Sequence, residues 1–150
     1  MRMALYQPDI AGNVGTILRL GACFGVAVDV IGPCGFAFSD RALKRAGMDY
    51  AAAAQVAYHV DWATFLDSVA ERRIVLLTTH GSTRLPDARF AAEDILLFGS
   101  EGAGAPPAVH AAAGLAVRIP MRPGFRSLNI AVAAGIALGE ALRQTEGFAA

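Results

Sequence analysis

Short apolar runs alternate with amphipathic stretches along the chain, and this alternation constrains the fold more than any other feature. The apolar runs predict buried strands at residues 2–6, 26–31, 74–78, 95–99 and 117–119. Helix-start signals at Asn13, Ser39, Asp61 and Pro106-Pro107 predict helices at residues 13–24, 39–45, 61–69 and 106–114, and the longest helix is expected at about 127–144. Because parallel strands need crossovers that are usually helical, we predict an α/β fold with a mainly parallel sheet and helices on both faces.

The composition argues against several function classes. Thirteen basic and thirteen acidic residues cancel, so no global field attracts nucleic acid. The most apolar stretch, residues 128–138, is shorter than the roughly 18 to 20 residues of a membrane helix. The first residues reach Pro8 without the apolar segment of a secretory signal. We therefore expect one domain over residues 1–150, no membrane association and a cytoplasmic location.

The cysteines and histidines do not form a metal-binding pattern. Cys23 and Cys34 lack the C-x-x-C spacing, and His59, His80 and His110 are scattered. We expect reduced thiols and no bound metal.

Ligands of parallel sheets collect at the carboxyl ends of the strands, which directs attention to the loops after Thr78, Gly99 and Ile119. The first loop, residues 77–81, reads as an ordinary turn or as a cofactor contact. The second, residues 97–106, has the spacing G-x-x-G-x-G, which is neither the dinucleotide fingerprint nor a P-loop. Its Glu101 would repel a phosphate but suits a sulfonium cation, a ribose hydroxyl or an arginine. A tight strand-to-helix connection explains this loop equally well.

The third loop, residues 119–131, leads into the last helix. Ser127 stands where an N-cap hydroxyl is expected, so it caps the helix, presents a polar group at the positively polarised terminus, or does both.

These segments together resemble a known family. Asn13 with Arg19, then Phe98-Gly99-Ser100-Glu101-Gly102, then Ile119-Pro120-Met121 followed by Ser127-Leu128-Asn129 resemble, in order, the three motifs of SPOUT RNA ribose methyltransferases. The resemblance spans nearly the whole chain. The short length, the opening Leu5-Tyr6-Gln7-Pro8-Asp9-Ile10 and the segment Phe36-Ala37-Phe38-Ser39-Asp40 are similar to the members that methylate the wobble ribose, at cytidine or uridine 34, of tRNA.

The resemblance implies a trefoil knot in the C-terminal half, a homodimer, S-adenosylmethionine as methyl donor and tRNA as substrate. It implies a cofactor pocket lined by Leu77, Thr78, Gly99, Glu101, Gly102, Ile119, Met121, Ser127 and Leu128. Apolar walls with a few backbone donors suit a flat heterocycle.

Methyl transfer requires that the ribose hydroxyl be positioned and lose its proton, and the candidates for both tasks are Arg19, Ser127 and Asn129. A guanidinium holds its proton too strongly to act as a base, so Arg19 is expected to stabilise the developing alkoxide while phosphate or water takes the proton. Asn13 and Glu101 are expected to position Arg19 and the loops. The candidate RNA contacts are Asn13, Arg19, Arg41, Lys44, Arg45, Arg122 and Arg126.

The last helix carries small residues at Ser127, Ala131, Gly135 and Gly139, where relatives commonly have an aromatic residue at the last position. Two helical glycines cost roughly 1 kcal/mol each relative to alanine, so close packing against another helix, within the chain or across a dimer, is expected.

Two other functions fit the sequence. One is a SPOUT methyltransferase for another tRNA site or for ribosomal RNA. The other is a nucleotide-binding or RNA-binding module that keeps the fold without turnover. Arg19, Glu101, Ser127 and Asn129 together argue against the second, because a binding module does not need such a set.

Overall fold

The protein is described by a computed structural model that covers residues 1–45, 53–69 and 71–149. Its strands are β1 (Arg2–Tyr6), β2 (Ala27–Ile31), β3 (Val56–His59), β4 (Ile74–Leu77), β5 (Thr83–Arg84), β6 (Ile95–Phe98) and β7 (Leu115–Arg118). Its helices are α1 (Ala11–Phe24), α2 (Asp40–Arg45), α3 (Trp62–Val69), α4 (Pro107–Ala112) and α5 (Ile130–Gln144), and a 3-10 helix spans Leu85–Asp87.

The described strands form one sheet in the order β3-β2-β1-β6-β4-β7-β5, and every pairing between them is parallel. Phe98 of β6 is in register with Leu5 of β1 and with Leu77 of β4, and Leu77 is in register with Val117 of β7. The four central strands therefore end side by side, so the loops that follow them meet at one edge of the sheet.

Helices cover both faces of the sheet, as the alternating pattern predicted. On one face, Ile17 and Leu18 of α1 and Leu138 of α5 pack with Met3 and Leu5 of β1 in one apolar cluster. On the other face, Phe65 of α3 and Val109 of α4 pack with Ala4, Leu76 and Leu97. Strands covered on both sides are apolar throughout, which is why β4 and β6 read as unbroken apolar runs.

Three helix starts agree with the sequence and two do not. α4 begins at Pro107, as the Pro106-Pro107 signal predicted. Ser39 Oγ accepts the Ala42 N–H at 3.2 Å, and Asp61 Oδ1 accepts the Thr64 N–H at 2.8 Å. The prediction that Asn13 caps the first helix is wrong, because α1 begins at Ala11 and Asn13 lies inside it. Ser127 does not cap the last helix either: α5 begins at Ile130, and Asn129 Oδ1 accepts the N–H groups of residues 131 and 132 at 2.9 and 3.3 Å.

The prediction omitted both edge strands and the 3-10 helix. β3 is short and half exposed, and β5 has two residues, so neither presents the apolar run by which the central strands are recognised. The strand expected at 117–119 lies at Leu115–Arg118.

Two buried carboxylates stabilise the sheet. Asp29 of β2 is paired with Arg2 through two hydrogen bonds of 2.7 and 2.8 Å and with His59 Nε2 at 2.8 Å. Asp94, just before β6, accepts two hydrogen bonds from Arg73 at 2.8 and 2.6 Å and the Ala91 N–H at 2.7 Å. Each carboxylate is fully partnered, so its desolvation is offset.

No helix among the described residues is both long and apolar enough to cross a membrane.

Candidate active site

A cavity of about 420 Å³ lies at the edge where β1, β6, β4 and β7 end. Its walls come from the turn after β4, the glycine-rich loop after β6, the end of β7 with the segment that follows it, and the first turn of α5. This volume is within the range of small-molecule sites, and the position obeys the rule that ligands bind outside the carboxyl ends of parallel strands.

The nine residues that the resemblance assigned to a cofactor pocket all line this one cavity. They are Leu77, Thr78, Gly99, Glu101, Gly102, Ile119, Met121, Ser127 and Leu128. Further residues line the cavity, among them His80, which lies in the loop 77–81 singled out from the sequence, and His110, which no motif indicated.

The glycine-rich loop closes on itself. Ser100 and Gly104 exchange backbone hydrogen bonds of 3.0 and 2.9 Å, and Ser100 Oγ accepts the Ala103 N–H at 3.1 Å. Gly104 has a φ of 69°, and a Cβ on Gly99 would lie 2.6 Å from the Gly104 carbonyl carbon. Glycine is therefore required at position 99 for close approach and favoured at 104 for its backbone conformation. Both readings of this loop hold, since it connects strand to helix tightly and also forms the cavity wall.

A chain of hydrogen bonds joins three loops around the cavity. Glu101 Oε2 accepts the Asp9 N–H at 2.7 Å, and Glu101 Oε1 accepts Asn13 Nδ2–H at 3.1 Å. Asp9 Oδ2 in turn accepts the Gly102 N–H at 2.9 Å. Asn129 Nδ2 donates to Asn13 Oδ1 at 3.0 Å while its Oδ1 caps α5. Glu101, Asn13 and Asn129 thus hold the loops in place, and Asn129 has the capping role that the sequence suggested for Ser127.

Asp9 is a site residue that the sequence reasoning missed. It follows β1, and the rule that selected the loops after β4, β6 and β7 would have selected this loop too. Asp9 also contacts the segment after β2, because a Cβ on Gly35 would lie 2.9 Å from Asp9 Cα.

The turn after β4 is held against β7. The Thr78 N–H donates to the Val117 carbonyl at 2.9 Å, and Arg118 Nη1 donates to the Gly81 and Ser82 carbonyls at 2.6 and 3.1 Å. A Cβ on Gly81 would lie 2.4 Å from the Val117 carbonyl carbon, so this close approach also requires glycine.

The predicted basic contacts lie in different places. Arg122 and Arg126 are exposed in the segment after β7, beside the lining residues Met121 and Ser127. Arg41, Lys44 and Arg45 are exposed on α2 at helical spacing. Arg19 is exposed on α1 and is not among the cavity-lining residues, so the described chain does not place it with Ser127.

Cys34 lies near the site and is held in its neutral form. Burial, and then the charge of Glu101, raise the pKa of the Cys34 thiol to about 11. A neutral thiol is a poor nucleophile and a poor metal ligand. In the part of the chain that the structure describes, no cluster of His, Cys, Asp and Glu could hold a metal ion.

Comparison with known proteins places this geometry among RNA methyltransferases. Residues 1–139 match the sequence model of the SpoU rRNA methylase family. A Beijerinckia indica protein named tRNA (cytidine(34)-2'-O)-methyltransferase is 52% identical over 149 residues, which cover 98% of this chain and 93% of that protein. An Escherichia coli K12 protein of the same name is 38% identical, covering 96% and 93%.

Two solved structures resemble this chain, one of about the same length and one far longer. One, described as giving insight into 2-OH methylation of C/U34 on tRNA, superposes with a TM-score of 0.90 at 40% identity and covers 95% of this chain and 94% of that one. The other, an AdoMet-bound rRNA methyltransferase from Sinorhizobium meliloti, has a TM-score of 0.83 at 31% identity and covers 95% of this chain but 55% of that one.

Proposed function

The chain belongs to the SpoU rRNA methylase family, and from this premise we propose that it transfers the methyl group of S-adenosylmethionine to the ribose 2'-hydroxyl of nucleotide 34, the wobble cytidine or uridine, of tRNA. The observation that carries the proposal is that one cavity, at the edge where the central strands end, is lined by all nine residues that the resemblance assigned to the cofactor. The relatives that share nearly the full length of this chain are named for that reaction.

The cavity fits the cofactor chemically. Leu77, Ile119, Met121 and Leu128 supply apolar walls for a flat heterocycle. The glycines of the loop after β6 leave room for close backbone approach. S-adenosylmethionine supplies a methyl group on a positively charged sulfur, which a hydroxyl oxygen can attack in line.

The residues around the cavity have different roles in that reaction. Ser127 lines the cavity and is exposed, so its hydroxyl can hydrogen-bond the incoming ribose. Asn129, Asn13 and Glu101 act as positioning residues, because their side chains hold the loops to one another.

We keep Arg19 as the group that stabilises the developing alkoxide and binds the neighbouring phosphate, with the proton leaving to phosphate or water. This role requires the bound nucleotide to extend from the cavity to α1. If Arg19→Lys retained nearly full activity, the guanidinium geometry would be irrelevant and the role would be abandoned.

Two basic surfaces are proposed to bind the tRNA phosphates. Arg122 and Arg126 lie beside the cavity, and Arg41, Lys44 and Arg45 form an exposed face on α2. Because the chain is neutral overall, these local patches must supply the electrostatic attraction.

Methylation of ribosomal RNA is the second candidate, and the similarity to the Sinorhizobium meliloti enzyme favours it. That chain is far longer than this one, whereas this chain covers nearly all of the tRNA-related structure. The difference in length supports the tRNA substrate.

We also propose that the protein is a homodimer, that its C-terminal half is knotted, and that it works in the cytoplasm, where tRNA is found. The dimer is supported by the apolar face of α5, on which Val132 and Ile136 are exposed. The knot is proposed from the likeness to the SpoU relatives. Gln144, at the end of α5, donates to the Ala88 carbonyl at 3.0 Å and accepts the Phe90 N–H at 3.0 Å. The last helix is therefore anchored to the segment between β5 and β6.

The experiment for the function is methyl transfer from labelled S-adenosylmethionine to bulk unmodified tRNA, with rRNA in parallel. Digestion and mass spectrometry are expected to find a 2'-O-methylpyrimidine at position 34. Incorporation into rRNA alone would favour the second candidate, and cofactor binding without transfer to either RNA would contradict both.

A further inference from the structure

Phe125 is a large apolar side chain exposed to solvent, four residues after the lining residue Met121 and two before the lining residue Ser127. It is 72% exposed, and no aromatic ring contact within the described part of the chain involves it. The segment that carries it, residues 122–126, is exposed throughout, yet it lies between the lining residues Met121 and Ser127. A single exposed apolar side chain is common on protein surfaces, so the chemistry of a partner must be inferred from the residues around Phe125.

The local backbone holds this ring in a defined turn. The Phe125 N–H donates to the Arg122 carbonyl at 3.4 Å, and Gly124 has a φ of 95°, which other residues rarely adopt. Phe125 is therefore at a built turn beside the cavity rather than on a featureless surface.

The charge around Phe125 indicates the chemistry of the partner. Arg122 and Arg126 flank it, and no acidic residue occurs between Ile119 and Gly139. Neither guanidinium makes a side-chain hydrogen bond or ion pair within the described chain. An aromatic ring between two free cations matches single-stranded nucleic acid, in which bases stack on rings and phosphates pair with arginine.

We propose that Phe125 stacks on the base next to the nucleotide whose ribose enters the cavity, while Arg122 and Arg126 bind the phosphates on either side. The stacked base sets the register of the RNA strand, so it determines which ribose reaches Ser127. The inference rests on the proposed function and assigns it a base-stacking subsite.

The test compares Phe125→Ala, Phe125→Trp and Phe125→Leu in the full-length protein with an anticodon stem-loop RNA. Loss of one stacked base weakens binding by roughly 10-fold, so Phe125→Ala is expected to raise KM for RNA about 10-fold. The kcat and the affinity for S-adenosylhomocysteine are expected to stay near wild type. Phe125→Trp should restore KM, and Phe125→Leu, which is apolar but cannot stack, should not.

Two RNA probes read the stacking directly. With 2-aminopurine placed in turn on either side of the target nucleotide, the wild type and Phe125→Trp should quench its fluorescence at one of the two positions, and Phe125→Ala should not. An abasic residue at that position should raise KM about 10-fold for the wild type and not further for Phe125→Ala. Val60→Ala removes a comparably exposed apolar side chain just after the edge strand β3, outside the cavity lining, and is expected to behave as wild type.

The outcomes separate this inference from the proposed function. If the wild type methylates the stem-loop and Phe125→Ala or Phe125→Leu does so with an unchanged KM, only the stacking subsite is wrong. If Phe125→Ala changes the sedimentation coefficient, the ring is a subunit contact and the inference is overturned. If the wild type modifies no RNA, the proposed function fails and the subsite fails with it.

Discussion

At the scale of single residues, the site depends on side chains whose hydrogen-bonding capacity is fully used. Both carboxylate oxygens of Glu101 accept hydrogen bonds, one from the loop after β1 and one from α1. The acid was first noted as a possible contact for a sulfonium or a hydroxyl. Its observed partners instead make it a connector between loops, which is a role that no motif spacing reveals.

We expect Glu101→Gln to weaken S-adenosylhomocysteine binding and lower activity, because an amide offers one acceptor oxygen to two donors. Leaving a partly buried donor unpaired costs about 1 to 3 kcal/mol, and the exposure of this site places the loss toward the lower value. Calorimetric titration measures the affinity. Glu93→Gln, at an acid 74% exposed and paired only with Arg72, is the control and is expected to bind as wild type. Equal affinities in all three proteins would show that the loop contacts do not shape the cavity.

The two cysteines are expected to differ in reactivity. With a pKa of about 11, Cys34 is about 0.1% thiolate at pH 8, and its thiolate fraction rises tenfold for each pH unit until the pKa is reached. Cys23 is exposed and serves as the internal reference. Mass spectrometry after timed iodoacetamide treatment at pH 7 to 9 should find Cys23 alkylated first. Alkylation of both at the same rate would contradict the raised pKa of Cys34.

At the scale of secondary-structure elements, an ion pair joins the starts of β4 and β6, at the opposite end of these strands from the cavity loops. Asp94 joins Arg73, at the start of β4, to the turn before β6, and this contact aligns the two strands whose far ends form the cavity. In this register Ile74 of β4 is paired with Ile95 of β6.

Adjacent acids provide a matched test of that contact. We expect Asp94→Ala to lower the free energy of unfolding by about 3 kcal/mol, because it leaves Arg73 and the Ala91 N–H without their buried acceptor. Glu93→Ala removes only an exposed pair, so its effect should be at most about 0.5 kcal/mol. Urea denaturation measures both. Similar losses for the two variants would mean that the buried pair does not stabilise the sheet.

At the scale of the whole molecule, one face of α5 lacks a close neighbour among the described residues. The small-residue stripe predicted close packing against another helix, and within the described chain this is wrong at Gly135 and Gly139, because apart from the helix's own backbone no atom lies within 4 Å of a Cβ built on either residue. Val132 and Ile136, 51% and 41% exposed, lie on the same helix. Packing across a dimer remains a prediction, and the exposed apolar face supports it.

We expect Ile136→Glu to lower the sedimentation coefficient to that of a monomer, because a subunit contact would bury the new charge without a partner. Gly139→Leu should act in the same direction by preventing close helix approach. Val60→Glu, at an exposed position just after the edge strand β3, should leave the sedimentation coefficient unchanged. A wild-type protein that sediments as a monomer at every concentration would contradict the dimer.

The sequence by itself determined the α/β class, the five central and inner strands up to small shifts in their bounds, and the loops in which the cavity lies. It could do so because apolar periodicity and the parallel-sheet rule act over short stretches of chain. The family resemblance identified which residues of those loops line the cavity. The tertiary structure alone decided that Asn129 rather than Ser127 caps α5, that Asp9 and Glu101 bind each other's loops across 92 residues, and that Arg19 lies outside the cavity lining. Such contacts join groups far apart in sequence, so they depend on how the whole sheet brings its loops together.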